Sequence, residues 1–421
     1  MRHAEHSNSG DMFQWICSGL LFLSVVSIYV VRIKAYPILF LLFAASLLLL
    51  WITPQPITLL SKRLGYIWWG CWLYVLYAAI NYLLLGGSGY YLLKLCSNVA
   101  FFAAITIYCQ VARVSGNERL ARRSLICACI VVVTLSCLQV LWCVARGNLW
   151  LLPLHITSSS EAYAIQDAAT IYFGDANKNI WASKVVLCYF SFIALKNDKW
   201  KGWGIALFCM VFIILVYTSS RTAELAFLLG LLFHWAWKLR RNGRITGKLA
   251  LVLLTLALTP VAISILRLPS TVSDIAESSS NDGFFARLIL WSYFAGAAPL
   301  FSIRECLVGH GVFSVAPFVS SQFDEDNLHN VFLNQFYDFG LIGLVLYGSF
   351  LVYWFRTTVS EWRWLIVPAL VIILNSQYVG YDAELMLCYS IGILLTCSPG
   401  TEERRPLRGA VAALSGIMEK S

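Results

Sequence analysis

Apolar residues run along the chain in stretches of roughly 20, broken by short charged or glycine-rich segments, from Phe13 almost to the last residues. A helix of about 20 residues crosses a hydrocarbon layer of ~30 Å and satisfies its own backbone groups there. The pattern predicts spans at 13–31, 36–52, 66–85, 93–112, 124–145, 179–195, 203–218, 222–238, 249–266, 336–355, 363–375 and 383–397. The expected fold class is all-α, a polytopic membrane bundle of about twelve transmembrane helices, forming a single integral membrane domain over 1–421. The first run, FQWICSGLLFLSVVSIYVV, is too long for a signal h-region and lacks a small-residue cleavage site, so it is read as a span. The eleventh is interrupted: WLIVPALVIILNSQYVGYDAELMLCY carries a proline, an asparagine and two acids, as a broken or re-entrant helix does.

Composition agrees, with 59% hydrophobic and 13% charged residues and a mean hydropathy of +0.72. The thirteen cysteines fall almost entirely inside apolar runs without a CxxC pair, the pattern of buried free thiols. A formal charge of +9 raises the question of nucleic acid, but placement of the charge decides against it. With the N-terminus inside, 21 Lys and Arg fall on the inner side and 9 on the outer, against which only the Arg32–Lys34 turn pulls. The positive-inside rule then puts both termini in the cytoplasm and two long loops, 146–178 and 267–335, outside. Those loops hold Trp150, Tyr163, Tyr172 and the run FFARLILWSYFAGAAPLF, and are expected to be ordered. The run from Phe284 has the bias of a helix lying on the membrane or capping the bundle.

The outer side has more acids than bases, so an anionic substrate there must meet a few placed cations. Arg221, in VYTSSRTAEL, stands at a helix start with two serines, an arrangement that suits phosphate and equally a snorkelling headgroup contact. Arg287 on the Phe284 run and Arg304 in FSIREC are the next cations, Arg287 with Asp282 as an alternative partner; Lys94 at the outer start of the fourth span suits an anchor or a ligand. His329 has no metal-type histidine partner, the other histidines being scattered, and no metal site is expected. The acids Asp324, Glu325 and Asp326 before it read as a solvated face, as a cation-holding run, or as a source of raised His pKa. His310 in GHG ranks second. In GDANKN, Asp175, Asn177 and Asn179 suit either a helix cap or a corner that binds sugar hydroxyls.

Three segments, SSRTAEL, GDANKNIWASKVVL and LHNVFLNQFYDFGLIG, together with this topology, resemble the O-antigen ligase and polymerase superfamily of bacterial inner-membrane enzymes. Arg221 and Leu225 give R-x3-L; His329, Asn330, Gly340 and Gly343 give H-N-x9-G-x-x-G. The resemblance implies that Arg221 and Arg287 bind a donor diphosphate, with Lys94 a looser match, and that His329 and Asn330 lie at the reacting centre at the end of the outer loop. It implies too that the Gly-x-x-Gly opens the next span and lets helices pack closely. Leu328 stands where ligases often have a second polar residue or histidine, and HNVFLNQF also reads like a polymerase.

The implied activity is a metal-independent inverting glycosyltransferase without a cofactor, active at the periplasmic face. It would move a glycan from undecaprenyl diphosphate to lipid A-core in lipopolysaccharide biosynthesis. A repeat-unit polymerase, with a second carrier-linked glycan as acceptor, is the close alternative. A transporter is a distant one, because the polar segments lie in two loops on one side rather than in repeated halves. Membrane lipid is the expected surrounding partner.

Overall fold

The computed structural model describes residues 2–29, 36–52, 62–145, 178–196, 201–218, 220–241, 283–323, 325–357, 360–376, 380 and 382–396. Its helices are α1 (Arg2–Tyr29), α2 (Tyr36–Ile52), α3 (Lys62–Leu85), α4 (Gly89–Val114), α5 (Glu118–Ala145), α6 (Lys178–Leu195), α7 (Lys201–Thr218) and α8 (Arg221–Arg241). There follow α9 (Gly283–Ala297), a 3-10 turn (Ala298–Leu300), α10 (Ile303–Val308), α11 (Val315–Ser320), α12 (Val331–Thr357), α13 (Ser360–Leu374) and α14 (Ala383–Thr396). Among the described residues the only strand-like feature is a parallel bridge between Gly87 and Val312.

A helix underlies each predicted span except 249–266, which lies outside the described residues, as do 146–177 and 267–282 of the two loops. Among the described residues four helices, α1, α4, α5 and α12, are long and apolar enough to cross a membrane, and five shorter apolar ones accompany them. The interrupted eleventh span is a continuous helix that runs through Pro368 and stops after Leu374. Its end has a local cause: Asn375 and Ser376 turn their side chains back onto the carbonyls of Val371 (2.7 Å) and Ile372 (2.6 Å). The expectation of buried cysteines needs one correction, since Cys127 and Cys209 are exposed on helix surfaces.

Packing gives the bundle two unlike ends. The Ser124 hydroxyl donates to Ser18 O (2.6 Å) and the Tyr108 hydroxyl to Gln14 O (3.2 Å), which sets the start of α1 beside the start of α5 and the end of α4. Arg122 Nε donates to Leu195 O (2.7 Å), placing a cation on the C-terminal carbonyls of α6. Phe233 stacks on Trp364, joining the end of α8 to the start of α13. This end therefore carries the half-buried Arg113 and the exposed Arg119, Arg123, Arg240, Arg241 and Arg356, and with them the exposed Trp15, Trp69, Trp203, Trp235 and Trp364. Cations and tryptophans gathered at helix ends are what a lipid–water boundary selects.

The opposite end is organised around a break in α12. At Gly340 the backbone turns to φ 64°, ψ −166°, and the carbonyls this frees are taken by an inserted segment. His310 N–H donates to Tyr337 O (3.0 Å) and Gly311 N–H to Asp338 O (3.0 Å), while the Tyr77 hydroxyl donates to Phe339 O (2.9 Å). The buried Asp338 carboxylate accepts Val315 N–H (3.0 Å), and Asn81 Nδ2 donates to Val308 O (2.7 Å). Residues 308–312 are thus laid between α3 and the kink, and Val312 pairs with the 86–88 turn through Ser88 N–H (2.8 Å) and Gly86 O (3.2 Å).

The Gly-x-x-Gly stands at the break: Gly340 joins a first helical segment to the longer one that runs on to Thr357. The helix begins at Val331, and Gly340 lies inside it at the kink. Close packing there is of backbone on backbone: a Cβ at Gly340 would collide with the Leu307 carbonyl, and one at Gly309 with the Asp338 carbonyl. Gly340→Ala adds that clash to a left-handed φ, at a cost of about 1–3 kcal/mol. The aggregation midpoint of detergent-purified protein on heating should fall, whereas Gly348→Ala, with open space around it, should leave it unchanged.

Candidate functional site

Helix α9 turns one stripe inward, formed by Arg287, Leu290, Trp291 and Phe294 at i, i+3, i+4 and i+7. Leu290 and Phe294 are buried, and Phe294 meets Phe301, Phe336 and Tyr337 edge-on. Of the two roles expected for the Phe284 run, capping the bundle is the one these contacts support. One turn before Phe294, Trp291 Nε1 donates to Leu328 O (2.8 Å), so α9 grips the residue that precedes His329.

His329 itself sits in a left-handed backbone conformation, φ 50°, which a non-glycine residue adopts only when its surroundings impose it. Three contacts impose it here. Asn327 Oδ1 accepts His329 N–H (2.7 Å), Asn334 Oδ1 accepts Leu328 N–H (3.0 Å), and Trp291 holds the Leu328 carbonyl. The next residue, Asn330, is the helix cap: its Oδ1 accepts the N–H groups of Phe332 (3.0 Å) and Leu333 (3.1 Å). Its Nδ2 donates to Asn375 Oδ1 (3.2 Å), tying the start of α12 to the end of α13. Capping in the His-Asn pair therefore falls to the asparagine, and the histidine ring is left for something else. Asn330, expected to bind substrate, spends its side chain on structure.

The His329 ring is buried, with its Nε2 3.1 Å from Glu325 Oε2. Its Nδ1 is buried and has no hydrogen-bond partner among the described residues. Burial pushes the Glu325 carboxyl up, but the hydrogen bond from His329 and the positive charges of His329 and Arg287 outweigh that and hold it below its ordinary value. Arg287 and His329 thus meet electrostatically at one carboxylate. The three acids treated as a block in the sequence separate: Glu325 faces His329, Asp326 accepts from Asn327 Nδ2 (2.6 Å), and Asp324 is outside the described residues.

Lys94 is one turn into α4, paired with Asp382 at 3.7 Å and set over the Tyr91 ring at 5.6 Å. Tyr91 stacks on Phe313 at 3.5 Å, and Asp382 Oδ2 accepts Gly380 N–H (3.1 Å). A Cβ on Gly380 would touch Val331 and Gln335, so this ion pair lies against the first turns of α12, close to His329. Gln335 in turn accepts the Tyr74 hydroxyl of α3. Arg221 is exposed and is the first residue of α8, opposite that helix's basic end, so the bundle puts it on the same side as His329. The same reasoning places Asn179, second residue of α6, on that side. Asp175 and Asn177 lie outside the described residues.

Two further candidates lie on α10 and just beyond its end. Arg304 is exposed on α10, next to the capping box that Ser302 and Glu305 form. His310 stacks on Tyr337 at 4.2 Å, with Nδ1 3.1 Å from Tyr337 O and Nε2 3.6 Å from Glu305 Oε1. Its ring thus packs on the residues that form the kink. Among the described residues no three His, Cys, Asp or Glu side chains gather as metal ligands. Sequence reasoning passed over Glu325 as an individual, Trp291, Asn375 and Asp382; only the i, i+4 spacings of Arg287–Trp291 and Glu325–His329 offered a signal.

Residues 205–348 match the family described as O-Antigen ligase. The matched stretch runs from α7 into α12 and contains Arg221, Arg287, Glu325, His329 and the kink at Gly340, while Lys94 and Asn179 fall outside it. A comparison with curated proteins gives no match.

Proposed function

We propose, with the O-antigen ligase and polymerase superfamily that this match supports as premise, that the protein transfers a glycan from undecaprenyl diphosphate to a sugar hydroxyl of lipid A-core. The family implies a glycosyltransferase-type membrane enzyme handling lipid-linked glycans. The observation that carries the finer reading is a buried histidine, held in an imposed conformation beneath a cation-bearing cap, at the end of the bundle opposite the one that carries Arg119, Arg240, Arg241 and Arg356. If the basic end is cytoplasmic, His329, Arg287, Arg221 and Lys94 all face the periplasm.

In the reaction, the acceptor hydroxyl attacks the anomeric carbon from the side opposite the diphosphate, and configuration inverts. The bond from that carbon to the phosphate oxygen breaks, its electron pair leaving with the diphosphate. Arg221 and Arg287 would take up the charge that grows on the leaving group, where one such contact is typically worth ~3 kcal/mol. No metal is required for that task. His329 would accept the hydroxyl proton or orient the hydroxyl, a role worth roughly 10²–10⁴ in rate.

A polymerase is the second reading, and Leu328 favours it: it is buried, with its N–H given to Asn334 and its carbonyl to Trp291, so no polar side chain precedes His329. The glycolipids of a deletion strain separate the two. Loss of a ligase leaves free core and polymer accumulating on the carrier; loss of a polymerase leaves core bearing single repeats. Unchanged glycolipids would remove both readings.

A further inference from the structure

We infer that Glu325 is a positioning residue that fixes the tautomer of His329, making Nδ1 the ring nitrogen that meets the acceptor hydroxyl. The inference rests on the transferase reading above and adds which atom acts and what prepares it.

The argument begins with donors and acceptors. A carboxylate can only accept, so the Nε2 that faces Glu325 Oε2 at 3.1 Å must carry its hydrogen toward it. A neutral imidazole has one N–H, so the lone pair is then on Nδ1. That is the buried nitrogen without a partner among the described residues, and a buried polar atom left unsatisfied is costly unless a ligand completes it. The contacts from Asn327, Asn334 and Trp291 fix the backbone at φ 50°, and the Glu325 carboxylate is the partner that selects which ring nitrogen faces the loop.

During transfer the hydroxyl proton would pass to Nδ1 while the new glycosidic bond forms and the diphosphate leaves with its electron pair. The ring is then an imidazolium whose Nε2–H still points at the Glu325 carboxylate. Glu325 therefore stabilises the charged ring without itself taking the proton. The charged groups around the ring bear this out: Glu325 from its own loop and Arg287 from α9, whose charge also reaches that carboxylate and keeps it ionised. Asp326, the next acid along the loop, is engaged by Asn327.

The test is a double-mutant cycle on the reconstituted enzyme, reading kcat and donor KM for Glu325→Ala, Glu325→Gln, His329→Ala and the Glu325→Ala/His329→Ala double variant. Glu325→Ala should lower kcat about 10-fold to 100-fold with donor KM unchanged, because it acts through the base. Glu325→Gln keeps the shape but not the charge, and its NH2 can face Nε2 and select the other tautomer, so it should stay well below wild-type kcat. In the His329→Ala background, removing Glu325 should cost nothing further, since a residue acting through the ring has no effect once the ring is gone. Multiplying losses, or a Gln variant with full wild-type kcat, would reduce Glu325 to a structural contact and overturn the inference. Full kcat in His329→Ala alone would instead overturn the transferase role of the histidine itself.

Discussion

Replacing His329 with alanine is expected to lower the transfer rate by about 10²–10⁴-fold while the donor still binds. The two halves of that expectation come from different parts of the site. The ring is the group whose unpartnered Nδ1 can receive the acceptor proton, and it contributes to the transition state rather than to donor affinity. In the proposed site the diphosphate falls to cations on other elements: Arg287 on α9 and Arg221 at the head of α8. The alanine variant should also fold, because the start of α12 is capped by Asn330 and not by the histidine. Donor affinity measured with the variant, beside single-turnover rates, checks both halves. A variant with full rate would leave His329 as a strained loop residue with no part in the chemistry.

Arg287→Ala should cost about 10²-fold in rate, the usual loss when one donor to a developing oxyanion is removed. Arg287→Lys should restore only part of it, because an ammonium does not reproduce the planar two-point fork of a guanidinium. A second effect follows from the carboxylate nearby. Arg287 is one of the charges that hold Glu325 below its ordinary value, so without it the Glu325 carboxyl should rise. A group with a depressed folded pKa stabilises above its unfolded value and loses that contribution as pH falls through the folded one. The Glu325–His329 contact of the native protein should therefore survive to more acidic pH than that of Arg287→Ala. Acid-induced loss of structure, followed for both proteins between roughly pH 6 and 3 around the ordinary Glu value, should begin at higher pH in the variant.

Much of the helical frame is readable in the sequence, because inside a bilayer each span must satisfy its own backbone and so appears as an unbroken apolar run. The end of α8 and the start of α13 fall close to their expected bounds by the same logic, with arginines and tryptophans marking one boundary, whereas α5 begins at Glu118, a turn and a half before the expected 124. The start of α12 was misplaced for a physical reason. FLNQFYDF looks too polar for a span, yet Asn334, Gln335 and Asp338 are fully buried, each engaged with Leu328 N–H, the Tyr74 hydroxyl or Val315 N–H. Hydropathy charges a polar residue for burial without knowing its partner. The kink at Gly340 was hidden likewise, since a glycine needed for close backbone approach reads the same as one needed for helix packing. Short helices α10 and α11 offer too few residues for a periodic pattern, although Ser302 and Glu305 carry the spacing of a capping box.

The candidate site was legible as a set of residues and not as an arrangement. Arg221, Arg287, Lys94 and His329 could be chosen by charge and side, but their partners come from distant segments. Asp382 reaches Lys94 from the head of α14, and Trp291 reaches the His329 loop from α9. Only the fold joins them. Glu325 shows the difference most clearly: in the sequence it is one acid of three, and in the structure it is the acid that holds the histidine.

Transfer by the purified protein is the most direct measurement of the central claim. Protein reconstituted in liposomes with undecaprenyl-diphosphate-linked glycan, and with either lipid A-core or a second carrier-linked glycan as acceptor, should produce a glycosylated acceptor and release undecaprenyl diphosphate in equal amounts. His329→Ala in the same liposomes should bind the donor and release almost none. No transfer to either acceptor by the wild-type protein, or equal transfer by the His329→Ala variant, would contradict the account.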